Sequence, residues 1–402
     1  VFISSTVLSS DGIGFIALIT IFLTLLKVLT KRGEKFEPNH FEIWLLVYFM
    51  IVVISLAGST LFALSFKGFM KTVTYLGFYI SVVHYLKNNR DKLPYLLGTI
   101  GICAAFESIT GILQNFAQVQ EISTWQDVTS LNPEEVMTRV YGTLKPYNPN
   151  LLGGYFVASI PALFGMAGYF LISKKNIPAI ITGVLTLFSV AALFLTGCRG
   201  SYIGCMVIFC GIFAVSAKYL WKNYKNIYLS IVGSVITLAM AAILLVSSLR
   251  ARVLSIFAMR QDSSNSFRFN VYQSSFQMAK DNWLLGIGVG NKNFREIYGL
   301  YMKTGFDALS AYNIFLETAV ESGIFALIAF LGFLVVMIKD AVKFILTCEN
   351  VQNVIFISAA IISIIAVMIH GLVDTVFFRP QIQFVLWTMV AVVSSTLKAE
   401  AR

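Results

Sequence analysis

Arginine is the side chain in this sequence with the clearest chemical bias. Its planar fork of donors grips phosphate through two parallel hydrogen bonds and keeps its charge when partly desolvated. Arg139, Arg199, Arg250, Arg252, Arg260, Arg268, Arg295 and Arg379 all fall in one alternating set of connections between apolar runs. Arg199 is the most confined, in Leu195-Thr-Gly-Cys-Arg-Gly-Ser201, a tight link between two such runs. It reads either as an anion-binding arginine held against a membrane by flanking glycines or as an interfacial residue that snorkels to water. For Arg250, Arg252 and Arg260, in a long polar loop, ordinary solvated charge is a sufficient reading.

Glu107, Glu317, Glu321, His370 and Asp374 form a second group, in or near apolar runs where ionisable groups are costly and point to function. Glu317 and Glu321 share one helix face, as do His370 and Asp374. A histidine–carboxylate pair is either general-base machinery or a hydrogen bond between helices. The three histidines, His40, His84 and His370, lie far apart, so a histidine metal site is not expected. The five cysteines (Cys103, Cys198, Cys205, Cys210 and Cys348) lack metal-ligand spacing and read as small core residues. Gly286-Ile-Gly-Val-Gly290 follows a helix, not a strand, so no dinucleotide site is expected.

The elements that must position these groups are membrane helices. Of 402 residues 57% are hydrophobic and 12% charged, with a mean hydropathy of +0.78. Soluble chains carry about 25% charged residues, so this surface must largely face lipid. The net charge of +10 therefore marks loops rather than a nucleic-acid partner. Apolar runs long enough for a bilayer predict an all-α polytopic protein with spans at 12–29, 42–64, 67–86, 94–114, 151–173, 177–196, 201–220, 226–247, 312–338, 353–373 and 380–396. The chain starts at Val1, so one further helix is expected before it. A single membrane domain over 1–402 would carry two large loops, 115–150 and 248–311. The second holds an amphipathic helix from Phe267 to Lys280, where Phe269, Tyr272, Phe276 and Ala279 recur at helical spacing. Alternate short connections are lysine-rich: Lys31, Arg32 and Lys35; Lys87, Arg90 and Lys92; Lys174 and Lys175; Lys218, Lys222 and Lys225; Lys339 and Lys343; Lys398 and Arg402. The positive-inside rule makes that face cytoplasmic and puts both large loops and the arginines outside.

Four segments, in order, resemble the O-antigen ligase and polymerase superfamily. They are Arg139-Val-Tyr-Gly-Thr-Leu-Lys-Pro-Tyr-Asn-Pro-Asn150; Leu195-Thr-Gly-Cys-Arg-Gly-Ser-Tyr-Ile-Gly204; Ser266-Phe-Arg268 with Leu285 to Phe294; and Ala311-Tyr-Asn-Ile-Phe-Leu-Glu-Thr-Ala-Val-Glu-Ser-Gly323. The last stretch, His370-Gly-Leu-Val-Asp-Thr-Val-Phe-Phe-Arg379, is similar to a branch described in cyanobacteria as bicarbonate transporters. The resemblance implies a GT-C-type membrane glycosyltransferase without metal or other cofactor. Its donor would be a glycan on undecaprenyl pyrophosphate, and its acceptor a glycan, a lipid or a protein. Membrane lipids would surround it. Arg199 and Arg268 would bind the departing pyrophosphate, and Arg139, Asn150, Asn313, His370, Asp374 and Arg379 would line the substrate site. The ligases carry a histidine where this chain has Tyr312, a poor base at neutral pH. Tyr312 then only positions the acceptor, or Glu321 or His370 assists, or the chemistry differs. An anion transporter is the alternative; it should show broken helices and midplane polar groups, which the sequence does not clearly display.

Overall fold

The computed structural model describes residues 1–6, 8–30, 38–117, 139–257 and 263–400. Lys31, Arg32, Lys35, Arg260, Arg402 and residues 118–138 of the first expected loop lie outside the described residues.

Long apolar runs satisfy their backbone internally only as helices, and every expected span is largely helical. The short α1 (Phe2–Ser5) precedes α2 (Ser10–Thr30), α3 (His40–Gly58), α4 (Phe62–Asn88) and α5 (Leu93–Phe116). Next come α6 (Pro149–Ile172), α7 (Asn176–Leu195), α8 (Arg199–Leu220) and α9 (Lys225–Leu245). The second long connection is largely helical: α10 (Ser247–Ile256), α11 (Ser263–Asp281) and α12 (Asn291–Tyr298). Then α13 (Ile314–Thr347), α14 (Val351–His370) and α15 (Pro380–Glu400) close the chain. No strand occurs among the described residues. Among the described residues 10 helices can cross a membrane by length and composition; α4 is as long but more polar, with Lys67, Lys71 and Lys87 along it.

α14 runs through the middle, packed on α6, α8 and α15. Small residues set those distances: a Cβ on Gly165 of α6 would stand 2.8 Å from the Ala359 Cβ, and one on Gly211 of α8 2.8 Å from Ile362. α9 is the opposite case. It buries no residue and touches the rest of the chain only lightly, as where the Tyr228 hydroxyl donates to Phe213 O of α8 at 3.0 Å. A helix apolar all round that is so little covered by protein needs lipid around it. The α11–α12 region has its own small core of Val271, Met278, Ile287, Phe294, Tyr298, Ala308, Ala311 and Val320.

Two boundaries differ from expectation. The run 42–64 is broken at 59–61, where α3 ends and α4 begins. α13 does not stop near 338: Lys339 and Lys343 sit in its last turns, because lysine stems can lie along an apolar helix while the ammonium reaches water.

α13 is also two helical pieces joined at Gly323 (φ 80°, ψ 178°). The break frees the carbonyls that the next turn would have used. Ile287 N–H donates to Val320 O at 2.9 Å and Gly288 N–H to Glu321 O at 2.8 Å. Ile324 N–H turns instead to Trp283 O at 2.8 Å. The glycine-rich 286–290 turn thus completes a broken membrane helix rather than cradling a nucleotide.

Charged contacts between helices include a lysine-rich set at one end. At the lysine end, Lys398 Nζ lies 2.8 Å from Glu42, Lys218 Nζ donates to Ile345 O at 2.6 Å, and Arg90 donates to Asn353 at 3.1 Å. Arg139, Arg199 and Arg268 lie at the other.

Candidate anion site at the arginine end

The Arg139–Asn150 segment folds over the end of α7. Arg139 Nε–H donates to Thr196 O at 2.8 Å, and its Nη2 donates to Asn150 Oδ1. Gly197 has φ +61°, and a Cβ there would press on Arg139 Cγ and Nε at 3.2 Å, so the turn beneath the arginine stem needs glycine. Asn148 caps α6 by accepting from Asn150 N–H at 2.8 Å. That cap fixes Asn150 in the first turn, where its Nδ2 donates to Asp374 Oδ2 at 3.0 Å. Asp374 Oδ1 accepts from Thr375 N–H at 2.7 Å, which locks the carboxylate's direction.

Arg268 closes this chain of contacts. Its Nη2 is 3.9 Å from Asp374 Oδ2, with the two side chains 17% and 5% exposed. That is an ion pair too long for a hydrogen bond. Nη1 donates to Ser264 Oγ at 2.9 Å, while Nε is buried with no partner among the described residues. A largely desolvated guanidinium thus keeps a buried donor that no described residue uses.

Tyr312 lies beside it, its ring centre 6.0 Å from the Arg268 guanidinium carbon. The residue has φ 52°, uncommon for a non-glycine residue. The Tyr272 hydroxyl holds the turn by donating to Tyr312 O at 3.2 Å. Burial pushes the Tyr312 phenol up to about 12, with the Asp374 charge adding to the effect and Arg268 and Arg379 opposing it. At neutral pH it is a neutral phenol and no proton acceptor. Asn313 Oδ1 caps α13, accepting from Phe315 and Leu316 N–H at 3.0 Å.

Arg199 stands at the first turn of α8. Its Nη1 donates to Ser255 O and Oγ at 3.2 and 3.1 Å, and Asn265 Nδ2 of α11 donates to the same carbonyl at 3.2 Å. The end of α10 therefore ties the Arg199 turn to the helix carrying Arg268. Arg379 is half-buried and has no hydrogen-bond or ion-pair partner for its side chain among the described residues. Arg295 is elsewhere, in an exposed pair with Asp307.

His370 is buried, its Nε2 3.7 Å from Cys198 Sγ. Cys198, His370 and Asp374 each present a ligand atom within 4.8 Å of the other two, a set that could hold a metal ion. Spacing along the chain hid this group, since Cys198 and His370 are 172 residues apart.

Glu321 stands apart from these contacts. Its Oε1 accepts from Gly290 N–H at 2.7 Å. Glu317 accepts from Ala311 N–H at 3.1 Å, and Glu107 from Thr143 N–H at 2.9 Å. All three carboxylates staple loop backbone to a helix. Asn148, Ser255 and Ser264 were not singled out by sequence, and Tyr272 only as part of an amphipathic helix face; Asn148, before a proline at the start of an apolar run, carried a readable helix-start signal.

The fold and site define a polytopic all-α membrane protein with a buried arginine–carboxylate network at one end. A family model described as O-Antigen ligase matches residues 184–331. That stretch includes Arg199, Arg268, Tyr312, Asn313 and Glu321, and leaves Arg139, Asn150, His370, Asp374 and Arg379 beyond it. A search of curated proteins found no match to the chain.

Proposed function

We propose that the chain is a GT-C-type membrane glycosyltransferase, a polymerase or ligase. It would move a glycan from undecaprenyl pyrophosphate to an acceptor hydroxyl at the outer face of the cytoplasmic membrane. The observation that carries this reading is the partly buried Arg268 guanidinium with a buried, unused Nε donor, inside the stretch that resembles the O-Antigen ligase family. The lysine-rich opposite end supports an outward-facing site.

In the proposed reaction the acceptor oxygen forms a bond to the anomeric carbon while the bond from that carbon to the pyrophosphate oxygen breaks. Negative charge grows on the departing lipid pyrophosphate. Preorganised cationic donors stabilise such charge more than they stabilise the ground state. Arg268 supplies them from α11 and Arg199 from the start of α8, where the helix dipole adds to the positive field. The acceptor proton goes to Asp374, the carboxylate bordering Arg268, since Tyr312 is a neutral phenol and Glu321 lies apart from the arginine contacts. Arg379, half-buried and close enough to Tyr312 to act on its phenol, is the further cation for an anionic part of either substrate.

The bicarbonate-transporter reading draws on one observation, the break in α13 at Gly323. The carbonyls freed there are taken up by the amides of Ile287 and Gly288, which makes the break a backbone junction with the glycine-rich turn, and the transferase reading is preferred.

The test is purified full-length protein in lipid nanodiscs given lipid-linked glycan and acceptor, with products resolved on a gel. Wild type should transfer. Arg199→Ala should lose transfer, and Arg199→Lys should regain only part of it, because one ammonium cannot both hold Ser255 and fork onto a phosphate. Tyr312→Phe should change the rate by less than about threefold, within what a substitution that breaks no contact costs. Its pH profile near neutrality should superimpose on that of wild type. Bicarbonate uptake by proteoliposomes without any transfer would instead favour the transporter.

A further inference from the structure

Cys198 precedes α8, His370 ends α14 and Asp374 lies in the turn that follows, so three separate backbone positions deliver a thiol, an imidazole and a carboxylate to one buried point. The 3.7 Å between Cys198 Sγ and His370 Nε2 is close to the separation of two ligands on one tetrahedral ion. With zinc–sulfur and zinc–nitrogen bonds of about 2.3 and 2.1 Å, that separation is about 3.6 Å. The residues around them behave as an outer shell. Asn150 Nδ2 holds Asp374 Oδ2 at 3.0 Å, and the amides of Thr375 and Val376 hold Oδ1 at 2.7 and 3.3 Å. Such fixing of a carboxylate's direction is typical of ligand sets. Glycines make the room: a Cβ on Gly200 would stand 2.8 Å from His370 Nε2, and one on Gly154 3.1 Å from His370 Cε1. The 3.9 Å to Arg268 leaves Asp374 without a direct hydrogen bond from the guanidinium, so its lone pairs are not exhausted.

We infer that Cys198, His370 and Asp374 form a binding site for a zinc-class divalent cation, with three protein ligands and a fourth position open. Thiolate and imidazole select zinc, cobalt or cadmium over magnesium and calcium, which prefer all-oxygen shells. Binding releases the Cys198 thiol proton to solvent, because thiolate is the ligand. Three ligands with an open position are the arrangement of exchangeable or catalytic sites rather than closed structural ones. The ion would occupy the carboxylate that borders Arg268, so zinc should slow transfer. That consequence rests on the proposed transferase function; the binding itself does not.

Full-length protein in detergent, stripped with a chelator, would be titrated with Co²⁺ as the probe. One equivalent should raise a thiolate-to-cobalt charge-transfer band in the near ultraviolet, and Zn²⁺ should displace it. Cys198→Ser should abolish the band, whereas Cys205→Ser should keep it. His370→Gln, which preserves volume and a hydrogen-bonding group, should weaken binding by at least about tenfold. Zn²⁺ should raise the melting temperature of wild type and not that of Cys198→Ser. Absence of the band in wild type, or its persistence in Cys198→Ser, would overturn the site. Stoichiometric binding that leaves glycan transfer untouched would keep the metal site and remove Asp374 from the transfer step.

Discussion

Arg268→Ala should reduce glycan transfer by about 10²–10³-fold, the cost of deleting one preorganised donor aimed at developing charge, while the purified protein stays folded. Folding should survive because, among the described residues, the side chain makes one direct hydrogen bond, to Ser264, and a long ion pair to Asp374. Asp374 keeps Asn150 and two backbone amides without it. Arg268→Lys should remain well below wild type, since an ammonium on a flexible stem cannot place two donors in a plane. The loss should appear in kcat with little change in KM if the contact is made chiefly to the leaving pyrophosphate. Transfer at near-wild-type rate by Arg268→Ala would remove this residue from the mechanism.

Gly323→Ala is expected to have the largest effect on the fold, above about 4 kcal/mol. At φ 80° and ψ 178° the backbone lies in a region essentially reserved for glycine. A Cβ there would also overlap the Leu284 carbonyl oxygen, which cannot retreat without pulling apart the Trp283–Ile324 and Ile287–Val320 hydrogen bonds. The glycine-rich turn, Glu321 and the start of α13 would loosen together. The measurement is the melting temperature of detergent-purified variants, with Gly183→Ala as the control. Gly183 is mid-helix in α7, and a Cβ added there would have nothing within 4 Å, so alanine should be neutral or stabilising by about 1 kcal/mol. Equal stability of the two variants would refute the role given to the break.

The helices were legible because their signal is one-dimensional: a run of apolar residues long enough for a bilayer has one way to satisfy its backbone. The break in α13 was not, because a single glycine at 323 leaves the stretch reading as one continuous helix, and the amides that take up the freed carbonyls, those of Ile287 and Gly288, come from another part of the chain. The same limit governs the buried acids. Glu107, Glu317 and Glu321 stand out in sequence as costly groups at membrane depth, but their backbone N–H partners in Thr143, Ala311 and Gly290 leave no mark on composition or periodicity. Asp374 has the same sequence credentials and is the one that meets arginine. Arginine type picked out Arg139 and Arg268, which meet in one network through Asn150 and Asp374, whereas Arg295 had the same type and became a surface pair. The Cys198–His370 contact was hidden by distance along the chain and by the apolar runs around the cysteine.

The most direct test of the transferase reading uses membranes from a strain lacking the gene, supplied with wild-type or Arg199→Ala protein at matched expression. Lipid-linked glycan and its acceptor products would be followed on a gel. The prediction is that extension or transfer appears with wild type and disappears with the variant. Unchanged lipid-linked glycan in every case, with bicarbonate uptake following the gene instead, would contradict it.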